Sequence, residues 1–106
     1  MNFDITIVGG GIIGASLAHS ILISKPNLKV VLIEKEDNHS RHQTGHNSGV
    51  IHSGIYYTPG SLKAKNCFNG RLQLIDFAKE HNISHDMCGK LIAAFDHSEL
   101  DTLDKI

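Results

Sequence analysis

Apolar residues run almost without interruption from Phe3 to Val8, stop at Gly9-Gly10-Gly11, and resume at Ile12. The first run is rich in β-branched side chains and predicts a central parallel strand covered on both faces. From Ile12 to Ser24, positions Ile13, Leu17, Ile21 and Ser24 recur at helical spacing, with small Ala15 and Ala18 where the helix must approach a sheet. A buried helix is expected there. Lys25-Pro26-Asn27 ends it, because proline cannot continue the hydrogen-bond ladder. The apolar pattern returns at Lys29 to Glu34 as a second strand, so strand, helix and strand form a right-handed βαβ unit with parallel strands.

Beyond Glu34 the pattern weakens. Residues 35–45 are polar and aperiodic, which predicts a loop; residues 46–57 alternate small polar with apolar positions, and a short helix is expected near Asn47 to Ser53, then an extended piece. Thr58-Pro59-Gly60 is a turn signal, and Ser61 is placed to cap the next helix. From Leu62 to His81 one apolar face is expected through Leu62, Ala64, Cys67, Phe68, Leu72, Ile75 and Ala78, with Lys63, Lys65, Asn69, Arg71 and Lys79 pointing away. Asn82 can end this helix. Gly89 to Asp96 reads as a strand, and Ser98 with Asp101 starts a terminal amphipathic helix through Leu100, Leu103 and Ile106.

A chain of 106 residues holds one domain at most. It suffices for one dinucleotide-binding half and is too short for a substrate domain, so residues 1–106 are expected to be a fragment or one piece of a split protein. The formal net charge of −1 gives no basic field to recruit nucleic acid. No run reaches the roughly 18 apolar residues of a membrane span. Cys67 and Cys88 stand far apart and form no CxxC pair. With the first strand starting at residue 3, no targeting peptide is expected, and the default is a reducing, cytoplasmic setting, with peripheral membrane association left open.

The chemistry concentrates at Gly9-x-Gly11-x-x-Gly14. A strand that turns sharply into a helix, with no side chain at the turn, lets main chain approach a pyrophosphate and offers it the helix N-terminus. Gly9 permits the turn, Gly11 leaves room for the phosphates, and Gly14 lets the helix pack on the strand. Glu34, at the end of the second strand, can accept hydrogen bonds from the adenosine ribose and would repel a ribose 2′-phosphate, which disfavours NADP. NAD and FAD both use this fingerprint.

Four of the eight histidines, His39, His42, His46 and His52, crowd one segment. Their spacing matches no metal-binding helix motif, and no cysteine or carboxylate completes a ligand set, so no metal site is assigned. His46 and His52 flank Asn47, Ser48 and Gly49. Such small polar residues can line a cofactor and leave room for a flat ring, beside which a histidine can act as a base. Equally, the segment can be a polar loop that caps the sheet.

Gly9 to Gly14, Leu32-Ile33-Glu34-Lys35, the stretch from His42-Gln43-Thr44-Gly45-His46-Asn47-Ser48-Gly49 through Tyr56-Tyr57-Thr58-Pro59-Gly60-Ser61-Leu62-Lys63-Ala64, and Cys88-Gly89-Lys90-Leu91 together resemble the N-terminal part of FAD-dependent L-2-hydroxyglutarate oxidases and dehydrogenases. These belong to the D-amino-acid oxidase-like flavoprotein superfamily. The resemblance implies an incomplete Rossmann-like α/β FAD-binding domain, with FAD as the dinucleotide. It implies that Thr44, His46, Asn47 and Ser48 lie near the flavin, and that His52 is the flavin-adjacent catalytic candidate. The chemistry implied is oxidation of a 2-hydroxy dicarboxylate to the 2-oxo acid, with hydride passing to flavin N5 and a base taking the hydroxyl proton. Family members run to several hundred residues, so a missing C-terminal portion or split-gene partner is expected, and the isolated fragment is expected to be inactive. Another hydroxy acid, glycerol 3-phosphate or an amine as substrate, or a truncated nucleotide-binding remnant without turnover, are the alternatives.

Overall fold

Strand β1 spans Ile5–Val8 and strand β2 spans Val30–Ile33. They pair in parallel, Ile5 opposite Val30 and Val8 opposite Ile33. Asp4 fixes the start of the register, since its carboxylate accepts from the Lys29 amide at 2.8 Å while its own amide donates to the Lys29 carbonyl at 2.9 Å. Between the strands runs helix α1, Ile12–Ser24, which ends at Lys25 directly before the proline. This is the expected βαβ unit. The computed structural model describes residues 2–106 and divides into two compact units, the first ending at Gly49 and the second spanning Val50–Ile106.

The first unit is less enclosed than the apolar pattern predicts. Within β1 only Ile7 is buried, and Val8 is 83% exposed, so the strand is covered on one face rather than two. Helix α1 meets the sheet through Gly14, Ala18 and Ile21, at helical spacing, of which Gly14 alone is fully buried. Ile13, Leu17 and Ala15 point away, contrary to expectation. The reason is width: a helix apolar on every side needs more than a two-stranded sheet to cover it.

In the second unit the main element is helix α2, Leu62–Glu80. Ser61 caps it as expected, its hydroxyl accepting from the Ala64 amide at 3.1 Å. Ser61→Ala is expected to lower the stability of this unit by about 1 kcal/mol, read as a shift in the urea midpoint of the far-ultraviolet signal. The far end closes just as definitely. Asn82 takes a positive φ of 54°, its amide bonds the Lys79 carbonyl, and the Ile83 amide bonds the Ala78 carbonyl at 2.8 Å. These two bonds satisfy carbonyls that a helix end otherwise leaves open.

The covered stripe of α2 differs from the one expected. It runs through Ala64, Cys67, Arg71, Ile75 and Ala78, with Ile75 and Ala78 buried and the other three half-buried. Leu62, Phe68 and Leu72 are exposed. Arg71, expected to point away, lies in the stripe, because offsets of three and four residues from Ala64 and Cys67 through Ile75 place it there whatever its charge.

Two further expectations are corrected. Residues 47–53 form no helix: Asn47 turns its carboxamide onto its own neighbourhood, accepting from the Gly49 amide at 2.7 Å and donating to the Thr44 carbonyl at 2.8 Å, and Gly49 takes a positive φ of 65°. A side chain that satisfies local main chain in this way competes with helix formation. Residues 89–96 form no strand, and Leu91 and Phe95 are 92% and 97% exposed. Among the described residues no neighbouring strand offers them a ladder. The terminal helix is a 3₁₀ turn, His97–Glu99, followed by α3, Leu100–Leu103; it is capped by Asp96, not Ser98, since Asp96 accepts from the Ser98 amide at 2.7 Å. Among the described residues no helix is long and apolar enough to cross a membrane.

Candidate functional site

The turn from β1 into α1 is built as the glycine spacing requires. Gly9 adopts a φ of +108°, a region that side-chain-bearing residues rarely enter, while its amide extends the sheet by donating to the Ile33 carbonyl at 2.7 Å. Gly14 packs directly on this turn. A Cβ at Gly14 would collide with the Gly9 carbonyl oxygen and lie 3.4 Å from the Ile7 side chain. Close seating of α1 on β1 therefore depends on the missing methyl group.

Helix α1 begins at Gly11, which has no side chain to cap it. A residue far along the chain does so instead: Thr44 accepts from the Ile12 amide at 2.9 Å through its hydroxyl. The same oxygen would stand 3.0 Å from a Cβ at Gly11, so the bare position accommodates Thr44 as well as main chain. The loop after β2 folds back over the turn, with the Ser40 amide donating to the Gly10 carbonyl at 3.3 Å. Gly10 is enclosed by this loop. A Cβ there would run into the His39 ring and come within 3.0 Å of the Glu34 carboxylate.

Glu34 fastens the arrangement. One carboxylate oxygen accepts from the Gly10 amide at 2.5 Å, and the other accepts from the amides of Lys35 and Glu36 at 2.8 and 3.1 Å. The hydrogen bonds from the Gly10 and Glu36 amides foremost hold its pKa below the ordinary value; desolvation opposes them, and the Lys35 amide and the charge of His42 add to the lowering. Because the folded value is lowered, this contribution to stability is complete above the unfolded value and is lost as the pH falls through the folded one. The Gly10 amide resonance is accordingly expected to titrate with a midpoint below 4.5, the ordinary value for this carboxyl. A midpoint at or above it would show that the Glu34 to Gly10 bond is absent in solution. His42 also pairs with Glu36 at 3.0 Å, but both groups are well exposed and the pair adds little.

Around the turn lies a cleft of about 460 Å³, lined among others by Gly9, Gly11, Glu34, Lys35, Arg41 and Thr44. That volume falls in the range of small-molecule sites. The structure thus brings Gly9, Gly11, Gly14, Glu34 and Thr44 together. His46, Asn47 and Ser48 follow in the turn after Thr44, all exposed, with the His46 ring 3.0 Å from the His42 carbonyl. His52 belongs to the second unit, where its side chain is exposed and its carbonyl accepts from the Cys67 thiol. Two features escape a reading of the sequence: Thr44 as the cap of a helix that starts 32 residues earlier, and the enclosure of Gly10. No local pattern signals either, since both depend on where a loop folds back.

Comparison with known proteins agrees with this geometry. The profile of the DAO family, described as FAD dependent oxidoreductase, matches residues 4–106. The mitochondrial L-2-hydroxyglutarate dehydrogenase of Caenorhabditis briggsae is 52% identical over 104 residues, covering 98% of this chain and 24% of that protein. The L-2-hydroxyglutarate dehydrogenase of Indibacter alkaliphilus is 47% identical over 106 residues, covering 100% and 27% respectively, and the human mitochondrial L-2-hydroxyglutarate dehydrogenase is 50% identical over 102 residues, covering 96% and 22%. The chain spans about a quarter of the length of these relatives. With its parallel βαβ unit, its bare glycine turn and a family match over nearly every residue, the chain belongs to the FAD dependent oxidoreductase family.

Proposed function

We propose that this chain supplies the N-terminal, FAD-binding part of a flavoenzyme that oxidises L-2-hydroxyglutarate to 2-oxoglutarate. The observation that carries the reading is the glycine turn, seated by Gly14 and held by Glu34 and Thr44 beside a cleft of about 460 Å³. The substrate follows from the activity for which its relatives are named.

The residues present fit the cofactor. Gly9 and Gly11 leave main chain bare where a pyrophosphate would lie against the start of α1, and the Lys35 and Arg41 cations line the same cleft. Glu34 faces the ribose. Three main-chain amides already occupy its carboxylate, which has about four acceptor positions, so it has room to accept one ribose hydroxyl and none to tolerate a 2′-phosphate. FAD, if bound there, would supply the acceptor for the hydride of the hydroxy acid. His46, Asn47 and Ser48 continue along the cofactor in this reading, and His52 takes the hydroxyl proton of the substrate. The exposed apolar surfaces of Val8 and Ile13 are to be covered by the remaining strands and helices of the complete protein. A cytoplasmic setting belongs to the same proposal, with Cys67 and Cys88 standing as free thiols.

The test joins this chain to the remaining three-quarters of the Indibacter relative and purifies the product. It is expected to carry the visible absorption of an oxidised flavin and to lose it when L-2-hydroxyglutarate is added without oxygen. Glycerol 3-phosphate and amines are expected to leave it unchanged, and the 106-residue chain alone is expected to turn nothing over. A colourless protein, or bleaching by one of the other substrates only, would overturn the proposal.

A further inference from the structure

Thr44 caps α1 from 32 residues away, and the loop that carries it must be held in place for the cap to form. Its hydroxyl stands on the Cβ of a β-branched residue, whose side chain has only χ1 to turn. The position of the Thr44 main chain therefore decides whether the hydroxyl reaches the Ile12 amide. Among the described residues no main-chain amide bonds the Thr44 carbonyl. The Asn47 carboxamide does so instead, donating to it at 2.8 Å and to the Gln43 carbonyl at 3.0 Å, while its oxygen accepts from the Gly49 amide at 2.7 Å. Gly49 turns its amide back to that oxygen through its positive φ of 65°.

Two carbonyls for two N–H donors leave the carboxamide nitrogen nothing to offer a ligand. Asn47 is also absent from the lining of both cavities beside the turn, whereas Thr44 lines the cleft of about 460 Å³ and a second of about 440 Å³ along β1. The Asn47 side chain thus serves its own loop. Aspartate at this position would not replace it: an ionised carboxylate cannot donate, and its charge would face two carbonyl oxygens. We infer that Asn47 is a positioning residue for the cofactor turn: it holds the Thr44 main chain so that the Thr44 hydroxyl caps α1 and closes over Gly11, without itself touching the cofactor. Resting on the FAD reading above, this makes the part of Asn47 in cofactor binding indirect, through Thr44.

The test follows the isotopically labelled 106-residue chain first without ligand and then with ADP and FAD. Without ligand, Asn47→Ala is expected to move the Ile12 amide resonance to the position it takes in Thr44→Val, with the β1 amides unmoved; Asn47→Asp is expected to do the same. ADP and FAD are expected to bind Asn47→Ala about tenfold more weakly, by one common factor, since both present the same pyrophosphate to the turn. The double variant of Thr44→Val and Asn47→Ala is expected to bind no more weakly than Thr44→Val alone, because a residue acting through Thr44 then has nothing left to act on. An Ile12 resonance that stays in place in Asn47→Ala, a double variant in which the two losses add, or weakening of FAD with ADP unchanged would overturn the inference, the last by putting Asn47 against the flavin half. If the unaltered chain binds neither nucleotide while its Ile12 resonance still answers to Asn47, the cofactor reading fails and the hold of Asn47 on Thr44 stands.

Discussion

Gly14→Val is expected to destabilise the first unit by about 3 kcal/mol, so that the amide resonances of β1 disappear from their folded positions at much lower urea than in the unaltered chain. A Cβ at this position already collides with the Gly9 carbonyl oxygen, and the branched side chain would add contact with Ile7, the one buried apolar side chain of that unit among the described residues. Neither neighbour can give way cheaply. The Gly9 carbonyl belongs to a turn whose φ of +108° is fixed by the sheet bond of its own amide, and Ile7 lies in the paired strand. Helix α1 must then lift off β1, which opens the turn and uncovers Ile7. Gly70, in the middle of α2, provides the contrast: a Cβ there meets nothing, so Gly70→Ala is expected to stabilise the second unit by about 0.5–1 kcal/mol through helix propensity alone. Unchanged urea resistance of β1 in Gly14→Val would show that the close seating of α1 does not exist in solution.

The elements that the sequence made legible are those whose cause is local. The β-branched run before Gly9, the helical spacing after it, the proline at 26, the serine at 61 and the asparagine at 82 each act within a few residues, and each marks an element or an element end in the structure. The glycine spacing was readable for the same reason, since Gly9 and Gly14 meet across a single turn. Where the cause is distant, the reading failed. Residues 89–96 have strand-like composition, yet a strand exists only where a neighbour accepts its hydrogen bonds, and composition does not report neighbours. Val8 and Ile13 were expected to be covered because they are apolar, but coverage depends on the width of the sheet beside them. Arg71 is different: the spacing of Ala64, Cys67, Ile75 and Ala78 places it on the covered stripe whatever its charge. At the site, Glu34 was legible as a residue, while its present partners were not. Gly10, Lys35 and Glu36 offer amides, and an amide is the same in every sequence.

Those partners determine what replacing Glu34 does. Glu34→Arg is expected to weaken binding of the ADP portion of FAD at least about 100-fold, measured by calorimetric titration of ADP into the chain. The substitution removes the carboxylate proposed to accept from the ribose and replaces a negative charge with a positive one; it also leaves the Gly10 amide without its carboxylate, at the centre of the turn proposed to receive the pyrophosphate. A loss from disordering of the turn and a loss of ribose recognition have different signatures. If the turn merely comes apart, every adenine nucleotide is lost equally. If Glu34 faces the ribose, an arginine there favours a 2′-phosphate, so adenosine 2′,5′-bisphosphate is expected to bind the variant more tightly than ADP, reversing the order in the unaltered chain. Glu34→Gln keeps an acceptor for the Gly10 amide and removes the charge, and is expected to retain the turn while losing about tenfold in ADP affinity. Equal affinity of the unaltered chain for ADP and the bisphosphate, carried over unchanged into Glu34→Arg, would remove Glu34 from the ribose and leave it only the main-chain role it already performs.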